Sequence, residues 1–106
     1  MSELHPCSMY IGELDEKLAA WRKSRYGEGI IDTSATFRKL CEEIGELGEA
    51  MMHWEYEDSL ELGNHVCEEA ADVCMVLSHI ARAMGGNLFV EVAKKLEVIE
   101  KRELKP

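Results

Sequence analysis

Two acidic clusters carry the residue types and spacing that could do chemistry: Glu42-Glu43-Ile44-Gly45-Glu46 and Glu68-Glu69-Ala70-Ala71-Asp72. They read as E-E-x-x-E and E-x-x-D. Residues three apart on a helix are neighbours, so each cluster forces like charges together at a cost of about 0.2–0.5 kcal/mol per pair. Two such pairs on two helices suggest a positive charge between them. Oxygen ligands favour Mg²⁺, with Mn²⁺ as the alternative, over zinc. His65 stands four residues before Glu69, but a lone His without a clear Cys or second His partner is a weak zinc signal. The di-iron bundles need Glu-x-x-His, and neither cluster has a His at that offset.

Helical angles sort the acids further. Glu43 and Glu46 each precede an expected core position, Ile44 and Leu47, which puts them about 100° from the apolar stripe, at its edge. Glu69 and Asp72 stand in the same relation to Ala70 and Val73. Glu42, Glu49 and Glu68 lie further toward solvent. Either cluster alone reads as a solvated helix face. Together, at matched angles and with few nearby Lys or Arg, Glu43, Glu46, Glu69 and Asp72 read as a converging set. Gly45 and Gly48, each costing about 1 kcal/mol against Ala in a helix interior, suggest close approach of another helix or a ligand.

The elements that must position these acids are all helices, because no stretch alternates long enough for a strand. The first helix is expected over about Met9 to Arg25, with Ile11, Leu14, Leu18 and Trp21 on one face and Tyr26-Gly27-Glu28-Gly29 ending it. The second is capped by Thr33 or Ser34 and runs to about Tyr56. Its stripe is Phe37, Leu40, Ile44, Leu47 and Met51. The third runs from about Leu60 to Met84, with Asn64 as a rival cap, and its stripe is Val66, Ala70, Val73, Leu77, Ile80 and Met84. Gly85-Gly86 closes it, and Asn87 caps a fourth helix to about Glu103 whose inner face is Leu88, Val92, Leu96 and Ile99. The expected architecture is one all-α domain, residues 1–106, a four-helix bundle completed by self-association because several stripes are wide.

Composition bounds the function. The chain has 106 residues, 46% hydrophobic and 31% charged, and a net charge of −9. Its short basic stretch, Arg22 to Arg25, is too small to follow a phosphate backbone, which disfavours a nucleic-acid polymer as partner. Two divalent ions on four carboxylates would bring the net charge from −9 to −5. Cys7, Cys41, Cys67 and Cys74 show no C-x-x-C spacing, and the last three read as reduced core residues inside helices. No apolar run approaches membrane-spanning length and the first residues lack signal-peptide character, so a cytoplasmic location and no membrane partner are expected.

On these residues the chain resembles the MazG-type all-α nucleoside triphosphate pyrophosphohydrolases, whose signature is E-E-x-x-E followed by E-x-x-D. The match runs through Leu40-Cys41-Glu42-Glu43-Ile44-Gly45-Glu46-Leu47 and Glu68-Glu69-Ala70-Ala71-Asp72-Val73, and the resemblance covers about Phe37 to Arg102. It implies a MazG-like bundle acting as a homodimer or homotetramer. It also implies Glu43, Glu46, Glu69 and Asp72 as metal ligands for Mg²⁺. The implied reaction is cleavage of the α–β phosphoanhydride of a nucleoside triphosphate to a monophosphate and pyrophosphate. Glu46 is the candidate general base. Lys95 and Arg102 match cations that the family places on its last helix to meet phosphates, whereas Ile99 stands where Asn is common. Their alternative is exposed helix charge near a C-terminus.

Trp54 and Trp21 could stack on a nucleobase or serve as core. His53 shares the angular stripe of Glu43 and Glu46, while His65, Val76 and His79 share that of Glu69 and Asp72; the histidines line a substrate cleft on one reading and lie on the surface on the other. Two other readings stay open. Within the enzyme class these are a dUTP/dCTP pyrophosphatase or a phosphoribosyl-ATP pyrophosphohydrolase, though Val73-Cys74-Met75-Val76 lacks the latter's Tyr-His pair. Outside it stands a non-catalytic helical oligomerisation or regulatory protein whose acids tune solubility.

Overall fold

The computed structural model describes residues 11–27 and 32–103. Four helices run through them: α1 Ile11–Tyr26, α2 Thr33–Tyr56, α3 Leu60–Ala83 and α4 Leu88–Glu103. There is no strand among the described residues. Met9 and Cys7 lie outside them.

Local chemistry sets each helix end. Gly27, at φ +74°, turns the chain out of α1. Asp32 is the N-cap of α2, its Oδ1 accepting from the Ala35 N–H at 3.0 Å. The cap therefore falls one residue before the expected Thr33 and two before Ser34, because the Asp32 carboxylate already serves a free N–H of the first turn. Ser59 caps α3 by accepting from the Leu62 N–H at 3.1 Å. Asn64 accordingly sits inside the helix and not at its start. At the other end Gly85 adopts φ +86°. The Gly86 N–H reaches Ala81 O at 2.8 Å and the Gly85 N–H reaches Arg82 O at 2.9 Å, the paired bonds of a Schellman ending. Asn87 then accepts from the Phe89 and Val90 N–H groups and opens α4.

Helices α2 and α3 make the most extensive pairing, α1 packs on α3, and α4 meets α3 near their junction before leaving it at 94°. The described helices of one chain therefore do not close into a four-helix bundle. The seam also differs from the expected stripes. Thr36, Glu43 and Ala50 are the buried residues of α2, whereas Phe37, Ile44 and Met51 are exposed. On α3 the buried set is Val76, Ser78 and His79, while Ala70, Leu77 and Met84 are exposed. No described residue of α4 is buried; Val92, Leu96 and Ile99 all face outward. The expected stripes are thus met in part: Leu14, Leu18 and Trp21 on α1, Leu40 and Leu47 on α2, and Val66, Val73 and Ile80 on α3 are half-buried, while the innermost places on α2 go to the small or polar Thr36, Glu43 and Ala50.

The consequence is a thin core. Only Ala50 and Val76 are buried apolar residues among those described, against the ~1.5–3 kcal/mol that each fully buried large side chain contributes. Cys41 and Cys67 are exposed and Cys74 half-buried, all as free thiols, so the first two are not core residues as expected. No single described helix is long and apolar enough to cross a membrane.

Candidate metal centre

The inward turn of α2 carries Glu43 into the α2–α3 seam, where it is 7% exposed. Glu69 and Asp72 reach the same point from α3, and one carboxylate oxygen from each of the three lies within 4.8 Å of the others. Glu43 Oε1 is held by Lys39 Nζ at 2.9 Å, one turn back on α2. Glu43 Oε2 and Glu69 Oε2 are both buried without a hydrogen-bond partner.

Magnitudes show why this is an unusual arrangement for a structural ion pair. Two unit charges 4.8 Å apart repel by about 3 kcal/mol at an effective dielectric of 20. A pair formed by a lysine as exposed as Lys39, at 41%, returns about 0–1 kcal/mol. One ammonium does not offset three converging carboxylates, two of which also hold an orphaned oxygen. A hard divalent cation would satisfy those oxygens, and Mg²⁺ suits a site of few carboxylates open to solvent and substrate oxygens. Asp72, on the exposed side, leaves that opening. His65 stands beside the trio but not in it, its Nε2 3.7 Å from Glu69 Oε1 and its Nδ1 3.7 Å from Glu68 Oε2. The donor set is therefore all oxygen.

Glu46 departs from the expected symmetry. Sequence spacing makes it the equal of Glu43, yet it is exposed and lies outside the trio. Three residues on a helix turn through about 300°, so bringing Glu43 to the middle of the seam carries Glu46 to its rim. It still feels the centre: the negative charge of Glu43, then desolvation and the charge of Glu69, hold its carboxyl above the ordinary range.

A cavity of about 720 Å³ opens between α1, α2 and α3 beside this centre. Lys39 belongs to both, pairing with Glu43 while lining the cavity. Arg22, Tyr26, His79 and Arg82 form much of the remaining wall. The His79 ring stacks on Tyr26 with centroids 4.1 Å apart and planes at 14°, and Tyr26 meets Trp21 edge-on at 5.8 Å. Burial, and secondarily the charge of Arg22, hold the His79 imidazole below its ordinary pKa. Arg82 pairs across helices with Asp15 on α1.

The other expected residues are dispersed. Trp21 is half-buried behind Tyr26. Trp54 is 42% exposed and packs over Gly63 at the far end of the helix pair, where it lines an apolar groove with Gly45, Gly48 and Met52. His53 is exposed in the last turn of α2. Lys95 and Arg102 lie exposed on the diverging α4, Lys95 beside Val92 and Ile99 in a separate groove. A Cβ added at Gly45 or Gly48 would meet nothing within 4 Å, so the close approach these glycines suggested is not made inside the chain. Sequence reasoning missed Lys39, Tyr26 and Arg82. Lys39 had a usable signal, since it stands four residues before Glu43; the other two join the site only through the tertiary packing of α1 on α3. Compared with protein-family models, characterised proteins and solved structures, the chain finds no match.

Proposed function

We propose that this protein is a Mg²⁺-dependent nucleoside triphosphate pyrophosphohydrolase of the MazG type, cleaving the α–β phosphoanhydride to a monophosphate and pyrophosphate. The observation that carries the reading is the convergence of Glu43, Glu69 and Asp72 around two orphaned buried oxygens, beside a cavity of about 720 Å³. That volume lies within the range of small-molecule sites. Glu43, Glu69 and Asp72 would hold the ion, with Mn²⁺ the alternative occupant. Mg²⁺ bound there would supply charge against the triphosphate and lower the pKa of an attacking water.

The chain's own groups do the rest. Glu46, at the rim with its carboxyl held above the ordinary range, would accept the proton of the attacking water, since a raised carboxyl is closer to the optimum for a general base at neutral pH. Lys39 supplies a cation at the border between carboxylates and cavity. The uncovered stripes, Phe37, Ile44 and Met51 on α2 and Val92, Leu96 and Ile99 on α4, favour self-association into a homodimer or homotetramer that covers them. That assembly would also set whether Trp54, His53, Lys95 and Arg102 meet substrate.

The decisive assay incubates the protein and Mg²⁺ with a panel of canonical and modified NTPs and dNTPs, scoring monophosphate and pyrophosphate. Release of orthophosphate instead would refute α–β cleavage. In parallel, Mg²⁺ should raise the melting temperature of the wild type but not of Glu43→Gln. Neither hydrolysis nor stabilisation by the ion would leave a non-catalytic interaction module as the better reading, one that the same exposed stripes would serve.

A further inference from the structure

We propose that the cavity between α1, α2 and α3 is a binding site for a phosphate-class anion, held by Arg22, His79 and Arg82. The chain as a whole carries a net charge of −9. Yet Arg22, Lys23, Lys39 and Arg82 all line this one cavity, against Asp32 as the lining carboxylate. Glu43 answers Lys39 and Asp15 answers Arg82, so Arg22 is the cation that an anion in this partly enclosed space would answer. Arg22 is half-buried, and none of the ion pairs among the described residues involves it.

Two buried polar groups add a second, independent sign. His79 is 7% exposed, lines the cavity, and its Nδ1 has no hydrogen-bond partner. Arg82 lines the same cavity and, although its Nη2 pairs with Asp15, its Nε is buried without a partner. Buried polar atoms without a partner are rare in folded proteins, and here two of the residues that line one space each hold one. Guanidinium and imidazole N–H groups together make the charge-assisted bonds that recognise phosphate oxygens. A neutral heterocycle would leave the Arg22 guanidinium unanswered, and the Tyr26 face it would use is already covered by His79.

α3 also fixes the spacing between this site and the carboxylates. His79 follows Asp72 by seven residues, two turns on nearly the same face, or about 10 Å along the axis. An elongated polyphosphate can therefore span both levels. Resting on the pyrophosphohydrolase reading, the occupant is the terminal end of the substrate triphosphate, and the released pyrophosphate would stay bound there after cleavage. A free inorganic phosphate or pyrophosphate shares that chemistry.

The test uses full-length protein in EDTA, titrated with inorganic pyrophosphate by calorimetry, so that no hydrolysis and no divalent ion enters. Saturable binding is expected. Arg22→Gln should weaken it at least tenfold, and His79→Phe, which keeps a ring against Tyr26, severalfold. Lys94→Gln, which removes an equal charge from the exposed α4, should change it less than twofold. On adding pyrophosphate the His79 ring resonances should report a raised imidazole pKa, in an environment that also includes Tyr26 and Lys23 from α1, Asp32 and Lys39 from α2, and the Asp15–Arg82 pair. Absence of saturable binding, wild-type affinity in a folded Arg22→Gln variant, or equal loss in Lys94→Gln would overturn the proposal. Competition by a non-hydrolysable nucleoside triphosphate supports the substrate's terminal end as the source; pyrophosphate binding that the triphosphate cannot displace supports a free-anion site. Because the titration is metal-free, a protein that binds pyrophosphate but never hydrolyses triphosphates would sink the catalytic reading alone.

Discussion

Glu43 and Glu46 stand three residues apart with the same side chain, yet α2 gives them different chemistry. One is buried, paired with Lys39 and aimed at Glu69 and Asp72; the other is exposed at the rim with its carboxyl held above the ordinary range by its neighbour's charge. Glu46→Gln should therefore cut pyrophosphate release by about 10²–10⁴-fold, the usual worth of a general base, with an unchanged circular-dichroism spectrum. Near-normal turnover would remove Glu46 from the mechanism. His79 gives a separate expectation for stability. Burial depresses its folded-state pKa from the ordinary 6.5, so below that pH the unfolded chain takes up the proton first. Its contribution to stability is present above pH 6.5 and is lost as the pH falls toward the depressed folded value. Urea unfolding across that window should show the decline, and His79→Phe should flatten it.

Among the elements, the helix boundaries were legible because their signals are local. Gly85-Gly86 and Asn87 announce the α3–α4 junction in sequence and perform it in structure. Gly85→Ala meets no steric neighbour, so its cost is the left-handed backbone alone, about 1–2 kcal/mol, readable as a lowered urea midpoint with unchanged slope. Asp32→Ala should cost about 1 kcal/mol through the lost cap. The inward faces were harder to read. Bulky residues such as Ile44 and Leu96 mark the surfaces with most apolar area to bury, and the periodicity does not say whether the partner is the same chain. The acid trio emerged from the i, i+3 spacing on two helices, whereas the cavity draws Arg22, Lys39 and Arg82 from three helices and leaves no linear pattern.

At the scale of the molecule, Ala50 and Val76 as the buried apolar residues among those described make a core that is small for a chain of this length. Sedimentation should show a homodimer or larger assembly, and Leu96→Glu should shift it toward monomer and lower the melting temperature, since a stable interface buries about 1,600 Å². A monomer unaffected by Leu96→Glu would refute self-association through α4. Lys39 has a further effect at this scale. Its ammonium is tied to Glu43 at 2.9 Å and the residue also lines the cavity, so one ammonium would have to be shared between a carboxylate and a cavity ligand. A cation that took over Glu43 would release that charge to the cavity, and an anion drawing Lys39 away would free Glu43 for the cation. If both ligands bind as proposed, one side chain would link them, and each would tighten the other by the same factor.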